Sequence, residues 1–389
     1  MTFSHDICIV GLKCYDLLAE VPSPRYLGGV EKQLVSLARG LRRAGLRVAF
    51  ITYDHGQPDR EIRDGIVLFK SFAPAEGWPV LRFVHPRMTK LRRAVKRASA
   101  FINIQMGAGV ETGVVAFACK NTKKFIYLVA SDADCERSLP FLHYRRERLL
   151  YRYGLSSADL IISQTKSQQN MLRSNLGTSS TVLPLPCSWA ITDKEYVPPV
   201  PPEKGKTRVL WVGRIVEAKR LEWLLSAAAR CPNILFDVVG TPNVRSAYYE
   251  ALVQQAKQLA NVTMHGKVSS EILEKLYRDA SLMCCTSELE GFPTTFLEAW
   301  NYGLPVLTTF DPDGVVLANR IGWVADTLDD FVTKLCQLVD SPQEWKALSR
   351  RARQFFCDNY TTDALIPRYM EIFNRLQRLD STHGKGDLV

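Results

Sequence analysis

Ser287-Glu288-Leu289-Glu290-Gly291-Phe292-Pro293-Thr294-Thr295-Phe296-Leu297-Glu298-Ala299 compresses a strand end, a loop and a helix start into thirteen residues. The apolar run 281–286 before it reads as a strand. The stretch 293–302 reads as a helix, with Pro293 suited to a first turn, where its missing N–H costs nothing. A second strand, 305–309, follows at once. Strand, loop, helix, strand is the repeating unit of a parallel sheet. In such a sheet ligands bind beyond the carboxyl ends of the strands, where this loop lies. Glu290 in the loop and Glu298 two turns into the helix are placed to face one ligand at separated points. The N–H groups of Gly291, Phe292 and Thr294 are placed to meet an anion or sugar hydroxyls. A bare pair of glutamates eight apart is also what a solvated helix face would show.

The same alternation extends in both directions. Toward the C-terminus helices dominate 329–378, and the polar tail from Asp380 reads as frayed. Toward the N-terminus strands are expected at 208–212, 234–239 and 262–264, with helices at 219–230, 246–260 and 270–279. Gly213-Arg214 ends the first of these strands, and Lys219 stands at the following helix start, so two cations can converge on one anion. A solvated pair on a surface loop is the alternative.

Tyr196-Val-Pro-Pro-Val-Pro-Pro-Glu-Lys-Gly205 holds four prolines in ten residues and reads as a linker. Before it lies a second alternating half. Strands are expected at 6–11, 46–52, 66–69, 101–105, 125–130 and 159–164, and helices up to Ala44 and at 86–99, 110–119, 137–153 and 166–175. Gly28-Gly29 separates the first strand from the first helix. It is either a phosphate-approaching turn or a plain tight turn with Glu31 favourably placed in the first helical turn. It lacks the Gly-x-Gly-x-x-Gly dinucleotide fingerprint. Asp132 and Asp134 close another strand, as hydroxyl or proton acceptors or as helix caps.

The 389 residues suffice for two or three domains. A 46% apolar and 23% charged content excludes a disordered or collagen-like chain. No apolar run reaches the ~18 residues of a membrane span, and the start shows no secretory signal. The ten cysteines form no Cys-x-x-Cys and no zinc spacing, as expected of mostly buried thiols in a reducing cytoplasm.

The net charge of +10 is uneven. Residues 1–200 carry 28 Lys+Arg against 17 Asp+Glu; residues 201–389 carry 22 against 23. No acid lies between Glu76 and Glu111, whereas Arg82, Arg87, Lys90, Arg92, Arg93, Lys96 and Arg97 do. Val84, Met88, Leu91, Val95 and Ala98 share one helical face there, and the cations share the other. This predicts a sheet-packing helix whose solvated face attracts an anionic lipid surface.

In combination the motifs resemble those of the GT-B family 4 glycosyltransferases. The carriers are Gly28-Gly29, Gly213-Arg214 with Lys219, the Glu290-x7-Glu298 element and Gly303-Leu304-Pro305-Val306. The resemblance implies two Rossmann-like, doubly wound parallel-sheet domains facing a central cleft. Expected bounds are 1–195 for the acceptor side, 196–205 for the linker and 206–355 for the donor side. Helices at 356–380 are expected to cross back to the first domain, and 381–389 to fray. The implied activity is retaining transfer of a hexose-type sugar from a nucleotide diphosphate sugar, without metal or other cofactor. The implied acceptor is a glycan or a lipid-linked molecule in cell-surface polysaccharide synthesis, at the cytoplasmic membrane face. By the resemblance, Arg214 and Lys219 bind the diphosphate and steady it as it leaves. Glu290 contacts the sugar, and Gly291, Phe292, Pro293 and Thr294 line its site. Glu298 holds the ribose, Gly28 and Gly29 approach the phosphate, and Asp132 sits near the reacting carbon. No nucleic acid partner is expected. The other readings are a same-fold epimerase or phosphorylase, and a non-catalytic binder of membrane or nucleic acid.

The chain departs from the family pattern in three places. No His stands at 131–134, Gly240-Thr241-Pro242 lacks a second glycine, and Phe310-Asp311-Pro312-Asp313-Gly314 replaces a more glycine-rich loop.

Overall fold

The computed structural model describes residues 3–22, 24–26, 28–78, 83–187, 190–192, 194–242, 244, 246–288 and 290–383. Leu27, Arg82, Leu289 and the tail 384–389 lie outside these. The chain divides into two compact units, Met1–Trp189 with Tyr360–Val389, and Ala190–Asn359. The proline-rich segment 196–205 therefore belongs to the second unit rather than standing apart, and that unit runs from 190 to 359 rather than from 206 to 355.

The first unit contains β1 (His5–Val10), α1 (Tyr15–Leu18), α2 (Gly29–Arg43), β2 (Val48–Thr52), β3 (Arg60–Arg63), β4 (Ile66–Lys70), α3 (Thr89–Ala98), β5 (Ala100–Met106) and α4 (Val110–Cys119). It continues with β6 (Lys124–Leu128), α5 (Arg145–Ser156), β7 (Leu160–Ser163), α6 (Lys166–Leu176) and β8 (Thr181–Val182). Its sheet has the order β3-β4-β2-β1-β5-β6-β7-β8 and is parallel except where β3 pairs with β4. Because strand side chains alternate, Cys8 and Val10 enter one core while Ile7 and Ile9 enter the other. Helices α3, α4 and α5 cover the first core, and α2 covers the second.

The second unit contains β9 (Arg208–Val212), α7 (Leu221–Arg230), β10 (Leu235–Val239), α8 (Ala247–Lys257), β11 (Val262–Gly266), α9 (Ser270–Asp279), β12 (Leu282–Cys285) and α10 (Thr294–Asn301). β13 (Val306–Thr308), α11 (Val315–Ala318), β14 (Gly322–Val324), α12 (Leu328–Asp340) and α13 (Pro342–Tyr360) complete it. Its sheet is wholly parallel, in the order β11-β10-β9-β12-β13-β14. The strand order reverses between β9 and β12, the switch point where an open parallel sheet accepts a ligand.

The last helix, α14 (Thr362–His383), returns to the first unit. Leu365, Ile366, Tyr369 and Phe373 fill the core beneath α2. A Cβ on Gly40 would lie 2.7 Å from the Ile366 side chain, so a bare Cα is what lets α2 and α14 approach. The helix runs three residues into the segment expected to fray.

Two helices are shorter than their periodicity predicts. Residues 83–88 form an irregular turn rather than the start of α3, with His85 extended before Pro86, as a pre-proline residue prefers. Residues 137–144 are not helical either. Pro140 cannot sit inside a helix, and α5 begins only after Tyr144, where Glu147 closes a capping box.

Candidate functional site

In the second unit β9 and β12 deliver two loops to the switch point. Gly213 N–H bonds the Val239 carbonyl at 3.0 Å, drawing the first loop against β10. Gly240, at φ 145°, allows this approach, since a Cβ there would stand 1.7 Å from the Gly213 carbonyl oxygen. Ile215 is buried as an anchor, and Arg214 beside it is exposed. Lys219 ends a 3-10 turn, Glu217–Lys219, rather than opening the helix, because Arg220 turns left-handed at φ 44° before α7 begins.

The second loop is stitched to the first. Thr286 Oγ1 donates to the Lys219 carbonyl at 2.7 Å and accepts from Trp211 Nε1 at 3.1 Å. Glu288 N–H reaches the Ala218 carbonyl at 3.0 Å. These bonds bring the Lys219 ammonium onto Glu290 Oε1. Ser287 Oγ donates to the same oxygen at 2.7 Å. Side-chain exposure of 22% for Lys219 and 19% for Glu290 leaves both within reach of a ligand. Burial, helped by the Glu290 charge, pushes the neighbouring Cys285 thiol up.

Glu298 has different company. It is 8% exposed, and Tyr277 O–H donates to its Oε2 at 2.8 Å. Burial and the Glu298 charge hold the Tyr277 phenol well above its ordinary range. Tyr277 stacks on Tyr302 at 5.2 Å. The two glutamates thus serve different partners, Glu290 on a loop cation and Glu298 on a core phenol. Pro293 is the N-cap of α10 rather than part of its first turn. Gly291 and Thr294 near it are half-buried, and Phe296 N–H bonds the Pro293 carbonyl at 3.1 Å. The Phe292 ring meets the buried Trp300 edge-on at 6.2 Å.

In the first unit Gly28 caps α2 with extended backbone and Gly29 opens the helix. A Cβ on Gly28 would come 2.4 Å from Glu31 Oε2, so the Glu31 carboxylate folds back over the helix start. Asp132 begins a 3-10 turn, Asp132–Asp134, and its Oδ1 accepts from Gln168 Nε2 at 3.1 Å. A chain of amides leads from there back to α2. Gln168 Oε1 accepts from Gln164 N–H at 2.9 Å, and Gln33 Nε2 donates to Gln164 Oε1 at 3.2 Å. Asp134 is structural. It is buried, accepts from Ala130 N–H at 2.8 Å and Tyr127 O–H at 3.1 Å, and burial raises its pKa despite those donors.

The basic stretch is less uniform than its sequence. Lys90 pairs with Glu76, and Arg97 reaches Asp59 at 3.5 Å, so folding brings back acids that the linear count lacked. Arg87 is half-buried. Arg92, Arg93 and Lys96 remain exposed, with the Arg92 guanidinium 4.9 Å over the Phe117 ring. They rim a cleft of about 370 Å³ floored by Met88, Val114 and Phe117. Among the described residues no helix is long and apolar enough to cross a membrane.

Sequence reading missed Ser287, Arg220, Gln168 and Tyr277. Ser287 stood inside the opening stretch, three residues before the Glu290 it meets. Arg220 stood beside Lys219, and an arginine does not announce partners as far along the chain as Thr286 and Thr309.

Comparison with known proteins matches two family models. Residues 27–186 match Glycosyltransferase Family 4, and residues 193–360 match Glycosyl transferases group 1. A D-inositol 3-phosphate glycosyltransferase of Mycobacterium tuberculosis is 32% identical over 176 residues, covering 41% of this chain. The match spans 36% of that relative, little over a third of its length. Among solved structures, sucrose-phosphate synthase from Thermosynechococcus elongatus superposes with a TM-score of 0.75 at 18% identity, over 96% of this chain and all of that one. HepE from Anabaena in complex with UDP-glucose gives 0.72 at 15% identity, over 95% of this chain and 100% of that one. At such identities the superpositions establish the fold.

Proposed function

The chain belongs to the GT-B family 4 glycosyltransferases, and from that premise we propose that it moves a hexose-type sugar from a nucleotide diphosphate sugar to a glycan or lipid-linked acceptor, with retention of configuration. The observation that carries this reading is the Lys219–Glu290 pair at the switch point, held by Ser287. An ammonium beside a carboxylate offers a charge for the donor diphosphate and an acceptor for sugar hydroxyls, side by side. Arg214 adds the second cation. Cations already in place stabilise charge that develops on a leaving phosphate, and loss of one such group typically costs about 10²–10³ in rate. These side chains supply the positive charge, and no metal is needed. In this reading the bond from the anomeric carbon to the diphosphate breaks and the acceptor oxygen takes its place on the same face. The acceptor proton leaves with the phosphate.

Glu298 holds the ribose hydroxyls, oriented by Tyr277. Gly28, Gly29 and Asp132 keep the roles that the resemblance gives them. That a similar structure holds UDP-glucose supports a nucleoside diphosphate hexose as donor. The exposed Arg92, Arg93 and Lys96 support work at an anionic membrane surface.

A thermal-shift panel of UDP-, GDP- and ADP-sugars tests donor choice, because a ligand that binds only the folded state raises the melting temperature. Release of nucleoside diphosphate that requires acceptor, with an unchanged anomeric configuration in the product and no loss in EDTA, is the expected result. Release without acceptor would point to a same-fold epimerase or phosphorylase. Lys219→Ala and Glu290→Ala should each abolish transfer in a folded protein; full activity in both would overturn the assignment.

A further inference from the structure

A second basic stretch lies between Arg137 and Arg152. It holds Arg137, Arg145, Arg146, Arg148 and Arg152 against one acid, Glu147, whose carboxylate accepts from Tyr144 N–H at 3.1 Å at the start of α5. The fold sets this stretch beside the first one. A Cβ on Gly113 of α4 would stand 2.5 Å from the Leu150 carbonyl oxygen, and one on Gly154 of α5 would stand 2.8 Å from the Thr112 carbonyl carbon. The two backbones therefore touch. Helix α3 joins α4 through the Arg92–Phe117 contact, and all three helices seal the same core. Their outer sides make one continuous layer.

That layer exposes large apolar side chains next to its cations. Val84 is 56% exposed, Phe117 48%, Phe141 67% and Leu149 68%. The Arg146 guanidinium lies 4.8 Å from the Tyr144 ring centre. Isolated exposed apolar residues are ordinary, but several on one layer, interleaved with arginines, match a partner that is anionic at its surface and apolar beneath. A bilayer of anionic lipid has both properties within a few ångströms of depth.

We infer that α5 and the segment before it are an insertion element: Phe141 and Leu149 enter the interface of an anionic bilayer while Arg145 and Arg152, with the cations of α3, hold its headgroups. This rests on the membrane-surface reading above and adds an apolar, salt-resistant component to it.

The full chain, sedimented with phosphatidylglycerol-rich vesicles at about 0.1 M and about 1 M salt, tests this, because screening removes the charge attraction and spares apolar insertion. The wild type should bind strongly at low salt and keep a bound fraction at high salt. Phe141→Ala with Leu149→Ala, both on exposed positions, should weaken low-salt binding about tenfold and abolish the high-salt fraction, with an unchanged melting temperature. Binding equal to wild type at both salts would overturn the insertion and leave the membrane reading on α3 alone. Absence of wild-type binding at both salts would remove the membrane reading itself, and absence at high salt alone would overturn the insertion. A wild-type dimer that this double variant dissociates, without vesicle binding, would assign the face to a second copy of the chain and overturn the inference.

Discussion

Arg220 donates from Nε to the Thr286 carbonyl at 2.9 Å, joining the loop after β9 to the loop after β12. The same guanidinium reaches the Ser287 carbonyl at 3.2 Å and Thr309 Oγ1 at 2.9 Å, and lies 4.5 Å from the Trp223 ring centre. Lys219 and Glu290 are held from both sides by these bonds, so Arg220 is a positioning residue.

Arg220→Ala should lower kcat/KM for the donor about tenfold, the effect of about 1.4 kcal/mol lost in the transition state. Arg220→Gly removes the same bonds but also relieves a left-handed residue, worth about 1 kcal/mol. It should therefore melt higher than Arg220→Ala while being no more active. Activity that simply follows the melting temperature would reduce Arg220 to a structural role.

Asp132 offers the next test. If it acts near the reacting carbon, Asp132→Ala lowers kcat about a hundredfold, in the range of general acid–base groups, without unfolding the protein. Gln168→Leu removes the amide that orients it and leaves Gln164 N–H buried without its acceptor. It should cost about 1–3 kcal/mol of stability as well as activity. Steady-state kinetics beside urea unfolding separates the two effects. Ser131, not Asp132, holds the cap position of the 3-10 turn, so wild-type kcat in Asp132→Ala would confine Asp132 to a structural role through its bond to Gln168.

Tyr277→Phe deletes the O–H that faces the buried Glu298. Loss of a hydrogen bond to a charged group costs about 1.5–3 kcal/mol. If Glu298 holds the donor ribose, the donor KM should rise about tenfold with little change in kcat. A lowered melting temperature with an unchanged KM would separate Glu298 from donor binding.

Asp134 predicts a pH dependence of stability. Its folded pKa is raised by burial, so the folded state holds its proton to higher pH than the unfolded chain. Stability from this group therefore falls as pH rises from about 4, the unfolded value, through the raised folded value. Asp134→Asn has no proton to lose. Urea titrations should show the wild type losing stability relative to Asp134→Asn across that window; parallel profiles would refute the assignment.

The sequence made the alternating architecture legible. Period-2 and period-3.6 patterns, and the glycines and prolines that end elements, are local properties. On that basis most strands of both sheets fall within a few residues of their expected bounds. The antiparallel β3 and the short β8 and β14 escaped, because Arg60-Glu61-Ile62-Arg63, Thr181-Val182 and Gly322-Trp323-Val324 offer no apolar run like those of the equally short β7, β12 and β13. Where a motif lay within one segment, as from Ser287 to Glu298, its position at a strand's carboxyl end was readable too.

Pairing was not readable. Lys219 meets Glu290, 71 residues on, only because β9 and β12 are neighbours in the sheet. Gln168 reaches Asp132, 36 residues back, across two adjacent strands. Lys90 finds Glu76, and the excess positive charge around its helix falls accordingly. Each contact depends on strand order and on which helices can approach closely, as at Gly40, Gly113 and Gly154. The residue types that could carry chemistry were set by the one-dimensional pattern. Which of them come within reach of one another was decided by the tertiary structure, since electrostatic and hydrogen-bond energies depend on distance in space and not along the chain.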